Sequence, residues 1–147
     1  MNEEELLELY GLEPDDIHRE PIRELLKQEI ENRKSEDNEV LKLLCIMLFC
    51  IGNVEDTQLI WRAKRKNQDT GSYIDVQLLC GAGYERTLFY LENMDGGRHM
   101  RSCFTLNSAS RMILLIFPKW NGSQTMNNIT VFDICAHWKE SYYAKFA

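Results

Sequence analysis

Nowhere in this 147-residue chain do apolar residues run for the roughly eighteen positions that suggest a membrane-spanning helix. The longest such run, Leu43–Ile51, has nine. The N-terminus, Met-Asn-Glu-Glu-Glu-Leu-Leu, lacks the basic-then-apolar order of a secretory signal. There is no Cys-x-x-Cys pair and no His-Glu-x-x-His, so the spacings that hold zinc are missing. Gly81-x-Gly83 has neither a third glycine nor a preceding strand, and no phosphate-loop pattern occurs, which removes the usual nucleotide fingerprints. These absences lead to the expectation of a cytoplasmic globular protein with no metal, no cofactor and no membrane partner. The five cysteines (Cys45, Cys50, Cys80, Cys103 and Cys135) are an odd number placed mostly inside apolar runs, so they read as reduced core thiols.

What is present is helical pattern. Glu39–Ile51, Glu-Val-Leu-Lys-Leu-Leu-Cys-Ile-Met-Leu-Phe-Cys-Ile, leaves no polar side on either the helical or the strand period. Leu and Met dominate it, and Gly52 follows where a helix would end in a left-handed residue. It is expected to be a central buried helix, about 20 Å long. Glu3–Tyr10 reads as a short helix stopped by Gly11. Pro21 suits the first turn of another, with Ile22, Leu25, Leu26 and Ile30 as its stripe and an end near Lys34. The polar link Ser35–Asn38, with Asp37 or Asn38 as cap, implies two antiparallel neighbours. Glu55-Asp56-Thr57 opens a fourth helix with Leu59, Ile60 and Ala63 inside and Asp56 as cap or first-turn carboxylate. Trp61 projects about 200° from Leu59 and is expected to be buried against a further helix.

Asn67–Ile74 reads as a loop, and Asp75 as the cap of a helix through Cys80 that Gly81-Ala82-Gly83 kinks before Tyr84–Met94 resumes. Beyond residue 98 the pattern is ambiguous. Ala109–Phe117 fits a helix ended by Pro118, while Met112–Phe117 fits a buried strand, Asn121-Gly122 leaves a hairpin open, and Asp133–Phe146 reads as helix. The expected fold is mainly α, a single domain of antiparallel helices over 1–147, with a candidate hinge at Gly96-Gly97.

Gly52–Asp56 and Gly71–Asp75 share an order of glycine, hydrophobic residue and acidic cap, 19 residues apart. In this respect Pro21 to Met94 resembles the helical-repeat proteins of the HEAT and armadillo kind, whose helix pairs recur about every 40 residues. The resemblance implies an α-solenoid-like array.

Charge is segregated. Residues 1–40 carry 14 Asp/Glu against 5 Lys/Arg, while residues 41–147 carry 9 against 12, for a net charge of −6. An acidic surface attracts basic partners and repels nucleic acid. The basic cluster Arg62–Lys66 has no interleaved aromatics and sits in a helical last turn, where the dipole favours cations. The expected function is therefore non-enzymatic binding of a basic protein. In size and acidity the chain is similar to bacterial immunity proteins, which neutralise basic toxin domains. Glu55, Asp56, Asp69, Tyr73 and Asp75 are the expected contacts, with Trp61 as aromatic anchor if it is exposed instead.

Two alternatives come from other classes. Cys80, before a glycine-rich kink, would serve a hydrolase or transferase if His99 or His137 supplied the base. Tyr142, Tyr143 and Phe146 would form the self-contact of a homodimeric scaffold. No catalytic residue is assigned. Cys135-Ala-His137 would share a face only in a strand, so it is not taken as a metal site.

Overall fold

The computed structural model describes residues 1–34 and 38–94. Sequence expectations for Asp37, Gly96-Gly97, Ala109–Phe117, the Asn121-Gly122 hairpin and Asp133–Phe146 lie outside these residues. The chain divides into two compact units, Met1–Thr87 and Leu88–Ala147. Among the described residues there are six α-helices and no strand: α1 (Glu3–Tyr10), α2 (Arg19–Glu31), α3 (Glu39–Ile51), α4 (Thr57–Lys64), α5 (Gln68–Tyr73) and α6 (Tyr84–Glu92). Three 3-10 turns, Asp16–His18, Val54–Asp56 and Val76–Cys80, connect them. No helix among these residues is long and apolar enough to cross a membrane.

The first unit is built around α3. Seven consecutive side chains, Leu43–Phe49, are each at most 1% exposed, as is Leu41. Seven residues cover nearly two turns and therefore every azimuth of the helix. Covering all of them takes neighbours on all sides, and α1, α2, α4 and the Val76–Cys80 turn all pack on α3. At roughly 1.5–3 kcal/mol for each large apolar side chain, this one helix supplies much of the burial energy.

Polar ties fix how the helices run. Arg19 and Arg23, early in α2, reach Asp56 just before α4, and Lys66 just after α4 reaches the Glu29 carbonyl near the end of α2. Their starts meet and their ends meet, so α2 and α4 run the same way. The C-terminus of α3 meets the Val76–Cys80 region, and Thr57 at the start of α4 donates its hydroxyl to the Leu79 carbonyl at 3.0 Å. Helix α3 is thus antiparallel to both α2 and α4, as the short α2–α3 link implies.

Several local expectations are corrected. Asn67–Ile74 is not a loop. Asn67 Oδ1 accepts from the Thr70 amide at 2.8 Å, the Thr70 hydroxyl accepts from the Asn67 amide at 3.0 Å, and this reciprocal cap starts α5. The Lys64 ammonium then donates to the Gly71 and Ile74 carbonyls, covering the far end of α5. Gly71 consequently lies inside a helix, whereas Gly52 ends one with φ 76°, so the two glycine segments are not structural equivalents. Helix α2 stops at Glu31 rather than Lys34. Asn38 and Asp75 occupy cap positions without a side-chain capping bond, and the segment after Asp75 is a 3-10 turn rather than an α-helix.

At the C-terminus of α3 two backbones touch. A Cβ on Gly81 would stand 2.7 Å from the Phe49 carbonyl oxygen and 3.0 Å from its Cα, and one on Gly52 would stand 2.9 Å from the Gly81 oxygen. Because the obstacle is backbone, no side chain can swing away. Gly81→Ala is therefore expected to cost about 1–3 kcal/mol, the range for overpacking a core, measured by urea unfolding. A stability equal to wild type would mean that the approach is not tight.

Candidate functional site

The residues singled out from sequence fall into three places. Glu55 and Asp56 belong to an ion cluster at the start of α4. Asp56 is only 1% exposed. Its Oδ2 accepts from Arg19 Nε at 3.0 Å, its Oδ1 accepts from Arg19 Nη2 at 3.1 Å, and Arg23 Nη1 donates to the same oxygen. Glu55, exposed, receives Arg19 Nη2 at 3.1 Å. The Asp56 hydrogen bonds hold the Arg19 guanidinium deeper in its protonated range, against the opposing effect of burial. Asp56 is therefore corrected from a contact residue to an internal tie between α2 and α4. It makes no capping bond either, since its carboxylate is turned to the two arginines. The signal that could have revealed this is Arg19-x-x-x-Arg23, two cations on one face of α2, which needs an acidic partner when that face is packed.

Asp69 and Tyr73 come together. With Asn38, Glu39 and Ser72 they line an open depression of about 350 Å3 between the start of α3 and α5. The Tyr73 hydroxyl donates to Glu39 Oε1, and Lys42 Nζ stands 4.3 Å above the Tyr73 ring. Asn38 Oδ1, shielded from solvent, has no hydrogen-bond partner among the described residues. The Asp69 side chain is exposed, and among the described residues no cation lies within ion-pair distance of it. Asp75 is half-buried and does not line this depression. Sequence reasoning missed Glu39 and Asn38, which it assigned only to the start of the central helix.

Trp61 takes the third place. It is half-buried rather than core, the Arg65 guanidinium lies 5.9 Å from its ring centre, and it lines a groove with Arg33, Arg62 and Lys66. Its turn away from Leu59 and Ile60 was legible from helical geometry. The burial expected against another helix is incomplete.

Cys80 is 7% exposed and burial pushes its thiol up, so a thiolate is disfavoured there. Gly81 beside it serves the close approach to Phe49. The histidines invoked for it, His99 and His137, and the tail aromatics Tyr142, Tyr143 and Phe146 lie outside the described residues. No group of three or more His, Cys, Asp or Glu side chains suited to a metal ion occurs among the described residues. Comparison with family models, with curated proteins and with solved structures returned no match for this chain.

Proposed function

We propose that this protein is a non-enzymatic binding module that takes a basic protein partner through the depression between α3 and α5. One observation carries the reading. Among the described residues no cation pairs with the exposed Asp69 carboxylate, which lines this depression with Glu39 and Tyr73, a setting suited to a lysine or arginine side chain from another molecule. Tyr73 supplies apolar area at low entropic cost and is already oriented by Glu39 and Lys42. The acidic N-terminal forty residues would speed encounter with a cationic protein. The finer form of the proposal is an immunity-type role in the cytoplasm. There, a solenoid-like stack of antiparallel helices would cover a basic toxin domain.

The test begins with capture from an extract of the source cell by the immobilised full chain, followed by titration of the captured protein. Asp69→Lys is expected to weaken binding by about tenfold or more. Lysine in the first turn of α5 also opposes the helix dipole, by about 0.3–1 kcal/mol, so Asp69→Asn serves as the milder control. Unchanged affinity in both variants removes this face from the interaction.

A further inference from the structure

The last turn of α4 and the end of α2 form a groove of about 950 Å3 that the protein-binding reading does not use. Four cations line it, Arg33, Arg62, Arg65 and Lys66, against the single carboxylate of Glu31, in a chain of net charge −6. These cations are not equivalent. Lys66 is committed to the fold: its side chain is 7% exposed, and its ammonium donates to the Glu29 carbonyl at 2.8 Å. Arg65 stacks near Trp61. Arg33 and Arg62 are exposed, and among the described residues neither has a hydrogen-bond or ion-pair partner.

We propose that this groove binds a nucleoside phosphate. The guanidinium groups of Arg33 and Arg62 offer the planar donor forks that match phosphate oxygens. The half-buried indole of Trp61, with Arg65 beside it, is the stacking surface for the base. Glu31 is an acceptor for the ribose hydroxyls or a base amino group. The size falls within the range of small-ligand pockets, and inorganic phosphate alone would leave most of it empty. A long polyanion is disfavoured, because the chain's net charge and its acidic first forty residues repel it. Sequence alone did not reveal the groove, because Arg33 is brought to the Arg62–Lys66 cluster only by the parallel packing of α2 and α4.

The test is calorimetric titration of the full chain with ADP at low ionic strength, alongside adenosine, inorganic phosphate and a tetraglutamate peptide. Saturable ADP binding is expected, at least tenfold tighter than adenosine or phosphate, and weakened at least tenfold by Arg62→Ala and by Arg33→Ala. Both arginines are exposed, so the thermal midpoint of each variant should match wild type and the loss should be one of binding. Trp61→Leu should weaken ADP and leave phosphate unchanged. Three results would overturn the proposal: no saturable ADP binding, ADP binding indifferent to both arginine variants, or tetraglutamate binding more tightly than ADP. The last would assign the groove to an acidic peptide.

Discussion

Replacing Asp56 by alanine is expected to lower the unfolding free energy by about 3–5 kcal/mol, the range found when one member of a buried ion pair is removed. The reason is asymmetric. Arg19 and Arg23 are only 15% and 21% exposed at the side chain, so without Asp56 they keep little of the solvation an unpaired cation requires. Glu55 can retain part of Arg19, but it is two-thirds exposed and gives a weak pairing. Asp56→Asn preserves the shape and loses the charge, and should fall between alanine and wild type. Urea unfolding followed by far-ultraviolet circular dichroism measures all three. A loss below about 1 kcal/mol for the alanine variant would show that the cluster is dispensable.

Phe49→Ala is expected to be comparably damaging, at about 3–5 kcal/mol, because the ring is fully buried and its removal leaves a cavity in the core. The site has a second constraint: the Phe49 backbone is the surface on which Gly81 rests. Phe49→Ala and Gly81→Ala should therefore be non-additive. Once the ring is gone, the last turn of α3 can shift to admit the new methyl group, and the double variant should be less unstable than the two single losses combined. Additivity within a few tenths of a kcal/mol would mean that the ring and the glycine contact are energetically separate.

How much of this was legible beforehand depends on whether a feature is local. The bounds of α1 and α3 follow from their sequences, because Gly11 and Gly52 both end helices at positive φ and the apolar run of α3 admits no exposed face. The inner stripe of α4, Leu59, Ile60 and Ala63, is buried as its periodicity requires. Helix α5 was missed because turn-forming composition outweighed a capping pair, and that pair uses Thr70 where the familiar signature has Glu or Gln. Asp56 was misassigned because a carboxylate at a helix start has an ordinary explanation in capping. Its true partners lie 33 and 37 residues away on α2. The depression at Asp69 and Tyr73 was half legible. Both residues are expected contacts on sequence alone, but Glu39 joins them only because α5 folds back against the start of α3. Long-range placement of charged groups is the part that local pattern cannot supply.

Titration of the captured partner against wild type and Asp69→Lys, at low and at physiological salt, most directly tests whether the α3–α5 face receives a cationic protein. Wild-type affinity should fall steeply as salt rises, and the variant should bind more weakly with a shallower salt dependence, since one screened attraction has been replaced by a repulsion. Equal affinities with equal salt dependence would contradict the assignment of this face as the contact.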